Sequence, residues 1–217
     1  MKTLFLTLLI ATTLVNPIFL TSHQCATSEI NISTFGEKGY NLEYNTIFNT
    51  MKKGMNDAPN TGNVNLDFVV EMIPHHEGGI NMAKAIIKYG SNPAVKKIAE
   101  NIVTSQEAQI PIMMELKSKF EKEPPSNKES SESYIKKYNE IKDNMFKEME
   151  GVKITDNVDV NFLQQMIYHH EGAIAMAKDI LGYTKDPDIK KLAENIVSTQ
   201  SKGVQEMKSL LKTLQNN

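Results

Sequence analysis

The feature that most constrains this fold is an internal duplication. The segment Met72-Ile73-Pro74-His75-His76-Glu77-Gly78 returns as Met166-Ile167-Tyr168-His169-His170-Glu171-Gly172. The offset of 94 residues holds without a gap from Tyr40–Leu116 to Tyr134–Leu210, with 34 identities in 77 positions. Such a chain builds either two small domains or one body from two like halves. Copies of roughly 80 residues make marginal cores by themselves, so a single body is expected.

The residues that survived in both copies point to chemistry. Apart from Met1 and Met114, every methionine has a partner at the same offset: Met51 with Met145, Met55 with Met149, Met72 with Met166, Met82 with Met176, and Met113 with Met207. The four histidines outside the leader pair in the same way. Packing alone accounts for a retained methionine, because its flexible thioether fills irregular gaps. It does not account for the histidines, which seldom enter a core without a partner.

Each copy reads as three helices. Tyr44, Ile47, Met51 and Met55 fall on one helical stripe within Tyr40–Met55, matched by Tyr134–Met149. A second helix over about Asn65–Tyr89 places Phe68, Met72, His76, Gly79, Ala83 and Ile86 on one face. Asn92 or Ser91 caps a third, with Pro93 in its first turn, and this helix runs to about Phe120 with a possible kink at Pro111. No strand-like alternation of useful length occurs, so the fold class is all-α. The expected architecture is a four-helix bundle from two tandem repeats, with the shorter first helices packed on it. Residues 40–120 and 134–217 form the repeats, 121–133 a solvated linker containing Pro124-Pro125, and 26–39 a loose lead-in.

Residues 1–25 read as a signal peptide or N-terminal anchor, since Met1-Lys2-Thr3 precedes an apolar run from Leu4 to Leu20. The expected location is periplasmic or secreted, with membrane contact only through this segment if it stays uncleaved. Lipid attachment at Cys25 is disfavoured, because Gln24 stands where a small residue is required. With no other cysteine, a soft-metal site here must use thioethers in place of thiolates. All 24 basic residues are lysine and the formal charge is -2. The forked guanidinium donor of nucleic-acid readers is therefore missing, and nucleic acid is excluded as a partner.

Thioether sulfur is a soft, neutral ligand that favours Cu(I), or Ag(I) as its mimic, while imidazole tolerates Cu(II) as well. Mixed Met and His sites therefore point to copper. Helical spacing pairs Met72 with His76, completed by Met51 or Met55, and His75 with Met82, completed by Met113. The second copy repeats this with Met166 and His170, His169 and Met176, and Met145, Met149 and Met207. Adjacent histidines diverge by about 100°, so only His76 is expected to face the core, with His75 at the flank. Gly78 and Gly79, like Gly172 and Ala173, allow a neighbouring helix to come close.

Other metal chemistries fail on the letters. His76-Glu77-Gly78-Gly79 is followed by Ile80 and lacks the second histidine of a zincin. The Glu-x-x-His pairs of di-iron bundles are missing, since Met72 and Ile73 stand three residues before His75 and His76. Glu77 and Glu171 read as surface or supporting acids, and Gln106 and Gln200 as buried hydrogen-bonding groups.

The run Phe68-x-x-x-Met72-Ile73-x-His75-His76-x-x-x-Ile80-x-Met82-Ala83, repeated over Phe162–Ala177, resembles the signature of the bacterial family catalogued as domain of unknown function 305. The resemblance covers about residues 40–217 and implies a ferritin-like helical bundle, export and copper binding. It also implies that Met72, His75, His76, Met82 and their counterparts are copper ligands, with Met51, Met55, Met113 and theirs as candidates. The expected function is a non-enzymatic, exported Cu(I)-binding protein for copper sequestration, transfer or tolerance, with copper ions and other copper-handling proteins as partners. The alternatives are an interaction bundle without a physiological metal and, less favoured, a metal-dependent oxidoreductase, for which no general acid or nucleophile stands out.

Overall fold

The computed structural model describes residues 32–216. The expected leader or anchor and Cys25 lie outside the described residues. Six α-helices follow one another: α1 Ile32–Asp57, α2 Val64–Tyr89, α3 Pro93–Phe120, α4 Lys128–Glu150, α5 Val158–Ile180 and α6 Pro187–Gln215. No strand occurs among the described residues.

Capping chemistry fixes where these helices begin. Asn63, Asn92, Asn127, Asn157 and Asp186 each accept from two backbone N–H groups of the first turn. Those donors have no intrahelical partner, and an Asn or Asp cap contributes about 1 kcal/mol. Pro93 and Pro187 occupy the first turns of α3 and α6, where a missing N–H costs nothing.

Two boundaries differ from the sequence expectation. The first helix of each half is not short: α1 spans 26 residues, as does α2, and begins inside the expected lead-in. Likewise α4 begins inside the expected linker, because Asn127 supplies a cap that charge and serine content concealed. The remaining linker is solvent-exposed, as expected, but it is tied down. Ser126 N–H donates to the Gly62 carbonyl (2.8 Å), Val64 N–H to Ser126 Oγ (3.1 Å), and Asn63 Nδ2 to the Pro124 carbonyl (3.2 Å). These bonds strap the crossover onto the entrance of α2.

In the packing, α2 pairs with α3 and α5 with α6, while α2 against α5 and α3 against α6 close a ring of four helices. On its outside, α1 lies on α2 and α4 on α5. One continuous cluster of buried apolar side chains runs through all six helices, from Tyr40 to Met207. A core shared in this way cannot be divided into two halves without exposing Phe68, Phe162, Met72 and Met166, each at most 1% exposed. Exposing each such side chain costs about 1.5–3 kcal/mol.

Where α2 meets α4, the core carries an acid. Glu71 is 3% exposed and lies near Asp67, Tyr134, Tyr138 and Lys142. Burial pushes its carboxyl up to about 9; Asp67 adds to the rise, while Lys142 and Tyr134 pull it back. The folded protein holds this proton up to about pH 9, whereas the unfolded chain releases it near pH 4.5. Stability from Glu71 is therefore complete below pH 4.5 and is lost as pH rises toward 9. The equivalent position in the second half is Gln165, a neutral side chain of similar shape. Glu71→Gln is expected to stabilise the protein by roughly 2 kcal/mol at pH 7 and by little at pH 4, as read from urea midpoints at the two pH values.

Candidate metal centre

All four histidines of the duplicated motif are inside the protein: His75, His76 and His169 are 0% exposed and His170 is 3% exposed. The expectation that His75 would lie at the flank is wrong, and the reason is tertiary. Because α2 is covered by α1, α3 and α5, adjacent side chains that diverge by about 100° both find protein. His75 points to α5 and His76 to α3.

His75 and His169 meet across the α2–α5 contact. Their rings stack with centroids 3.8 Å apart. His75 Nε2 donates to the His169 carbonyl at 3.2 Å, and His169 Nε2 donates to the His75 carbonyl at 3.1 Å. A carbonyl oxygen can only accept, so each Nε2 must carry the proton and each Nδ1 must present a lone pair. Both Nδ1 atoms are buried without a hydrogen-bond partner. Burial drives both rings toward the neutral form, His169 down to about 3 and His75 well below the ordinary histidine value. Neutral imidazoles oriented through one nitrogen, with the other nitrogen free, form a donor arrangement suited to a metal.

His76 is held from α3. Its Nε2 meets Gln109 Oε1 at 2.7 Å, and Gln109 Nε2 donates to Asn195 Oδ1 of α6 at 2.7 Å. The Asn195 acceptor orients the amide so that His76 donates from Nε2, leaving its buried Nδ1 without a partner. Burial lowers this ring to about 4, partly offset by its hydrogen bond to Gln109. The second half differs here. Gln109 is replaced by Gly203, whose Cα faces His170, and a Cβ added there would lie 3.6 Å from His170 Nε2. No side-chain amide holds His170. The sequence pattern did not single out Gln109, because a Gln-to-Gly pair carries no sign of retained chemistry.

The candidate thioethers are all buried: Met51, Met55, Met72, Met82, Met113, Met145, Met149, Met166, Met176 and Met207 are at most 3% exposed. Their grouping differs from the expectation. Met51 packs its sulfur against Gly78, and Met145 packs its own against Gly172, so these glycines admit the outer helices as expected. On α2, however, Gly78 lies about 40° from Met82 and about 60° from His75, but about 160° from His76. Met51 therefore belongs to the His75 and Met82 side. Met113, one turn beyond Gln109 on α3, belongs to the side of Met72 and His76.

Among the acids, Glu77 is exposed and Glu171 pairs with Lys208 at 2.6 Å, both outside the histidine layer. Gln106 and Gln200 are buried, yet both atoms of each amide lack partners. Gln106 Oε1 and the His169 ring both press on Gly79, which leaves no room for a side chain there. Among the described residues no three His, Cys, Asp or Glu side chains converge on one metal position.

The depressed histidines make the metal-free protein acid-sensitive. The unfolded chain takes up protons near pH 6.5, while folded His76 and His169 resist to about 4 and 3. Their contribution is whole above pH 6.5 and is lost as pH falls toward those values. Between pH 7 and pH 5 each should cost roughly 2 kcal/mol of unfolding free energy. Denaturant titrations at both pH values should show this loss, reduced in a His76→Gln variant.

Comparisons with known proteins agree with this architecture. The viral relative "Uncharacterized protein L153" of Acanthamoeba polyphaga mimivirus is 47% identical over 60 residues, which are 27% of this chain and 40% of that protein. The match thus spans less than half of that relative. Among solved structures, the Cu(I)-bound form of CopM is similar, at 27% identity and TM-score 0.53, over 69% of this chain and 96% of CopM. CopM has also been seen with Ag at TM-score 0.52 and with Cu(II) at TM-score 0.50. A DUF305 fragment from Deinococcus radiodurans shares the fold at 24% identity and TM-score 0.51, covering 69% of this chain and 96% of the fragment. The model of the family described as "Domain of unknown function (DUF305)" matches residues 65–211, from the start of α2 into the last turns of α6, and the chain belongs to that family.

Proposed function

We propose that this chain is an exported, non-enzymatic protein of ferritin-like design that binds Cu(I) and holds it or passes it on. Its carrying observation is the stacked pair His75 and His169, buried neutral imidazoles held through Nε2 with Nδ1 left without a hydrogen-bond partner, beside two further buried imidazoles at His76 and His170. A buried acceptor left unpaired costs about 1–3 kcal/mol, and a core kept for packing alone would have replaced it with carbon. Copper binding would offset that cost, because Nδ1 lone pairs and thioether sulfurs are the donors a soft monovalent ion prefers. The ligands we assign are Met72, His76 and Met113 on one side of α2, and His75, Met82 and Met51 on the other, with Met55 in reserve. The second half supplies Met166, His170 and Met207, then His169, Met176 and Met145, with Met149. Similarity to CopM, solved with Cu(I), Cu(II) and Ag, supports the choice of metal.

Neutral ligands leave the bound ion its full charge and hold it without redox or acid–base machinery, which suits storage and transfer better than turnover. Export follows from the apolar run behind Lys2.

A competitive Cu(I) titration of residues 26–217, with Zn(II) as control, tests the reading. Wild type should take Cu(I) far more tightly than Zn(II), and Met72→Ala with Met166→Ala should weaken Cu(I) at least tenfold. Cu(I) binding no tighter than that of exposed histidines would leave a metal-free interaction bundle as the better account.

A further inference from the structure

The outer wall of the second half carries an opening onto a buried thioether. A groove of about 430 Å³ runs between α4 and α5, lined by Met145, Tyr168 and Gly172 together with Glu140, Glu148 and Glu171. Lys137 pairs with Glu140 at 3.3 Å and Lys208 with Glu171 at 2.6 Å, whereas Glu148 has no ion-pair partner among the described residues. Met145 belongs to both worlds: it lines this groove, and its sulfur rests on Gly172, on the His169 side of α5.

The first half is built differently at the same place. The positions of Glu148 and Tyr168 are taken by Gly54 and Pro74. The Pro74 ring lies against Gly54 so closely that a Cβ there would meet the ring at 2.9 Å. At this point α1 and α2 touch. The inner side follows the same division, with His76 tied to Gln109 and His170 facing Gly203.

The geometry points to the α4–α5 groove as the port through which Cu(I) enters and leaves, with Met145 as the first thioether to receive it and the second half loading and unloading ahead of the first. This inference rests on the copper reading above. Two of the three rim carboxylates are neutralised by lysines, which leaves Glu148 as the uncompensated negative charge that attracts a monovalent cation, and it stands where the first half has no side chain. Thioether exchange at the floor then moves the ion inward without any change of its charge.

The test separates equilibrium from rate. Cu(I)-loaded protein is mixed with excess bicinchoninate, and the coloured chelate is followed by stopped flow, alongside an equilibrium titration of the same samples. Wild type should release copper in a fast and a slow phase. Ala175→Phe, which fills the groove from a half-buried lining position, should slow the fast phase at least tenfold while equilibrium affinity stays within twofold. Pro74→Tyr with Gly54→Glu, which gives the first half the residues of the second, should accelerate the slow phase. Should Ala175→Phe fold poorly, Glu148→Lys serves in its place and should slow the fast phase at low salt. Unchanged release rates in the folded variants, with normal equilibrium binding, overturn the port and leave the copper reading standing. Absence of Cu(I) binding by wild type overturns that reading and the port with it.

Discussion

Imidazole burial at the α2–α5 contact governs much of the rest of the structure. Two rings stacked 3.8 Å apart, each donating to the backbone of the other's helix, leave the two helices little freedom to slide or rotate. The bonds use backbone carbonyls within helices, so the contact holds at one register only. Small residues must flank it: Gly79 accommodates His169 and Gln106, while Gly78 and Gly172 admit the methionines of the outer helices. The unpaired Nδ1 atoms are a cost of the arrangement, and the large apolar core around them absorbs it.

That core explains how a site made of soft donors is kept in order. Methionine is flexible, and ten thioethers in a loose pocket would sample many geometries. Here each is enclosed by helices on several sides, and the helices are fixed by Asn and Asp caps, the Ser126 strap and the Lys119 bridge to Asp186 and Asp188 at 2.7 and 3.0 Å. Preorganisation of this kind lowers the entropy lost when a ligand binds.

The two halves share a plan and differ at a few positions that matter. Gln109 against Gly203 decides whether the second histidine of the pair is tied, and Pro74 against Tyr168 decides whether the outer helix closes on its neighbour. Glu71 against Gln165 places a protonated acid in one half and an amide in the other. Duplication gives two similar halves, and such substitutions make their surroundings unlike.

Helix positions were legible in the sequence because they depend on local chemistry: Asn92 and Pro93 mark a start, and the 3.6-residue stripe through Phe68, Met72, Ala83 and Ile86 marks a buried face. The buried Met and His pairs were legible because their paired retention is visible without coordinates. How the donors group was not, since a helical wheel gives direction but no neighbour. Only packing revealed that α2 is covered on three sides, so that His75 is as deeply buried as His76 and Met51 sits apart from it. Gln109 and the α4–α5 groove were equally hidden, for both depend on residues 33 positions or more away or on the meeting of separate helices. Sequence by itself determined the all-α class, the internal duplication and the paired retention of Met and His, which follow from local periodicity and residue identity. Tertiary structure alone decided which nitrogen of His75 and His169 stays free and where the α4–α5 groove lies, because both depend on what a distant helix places opposite.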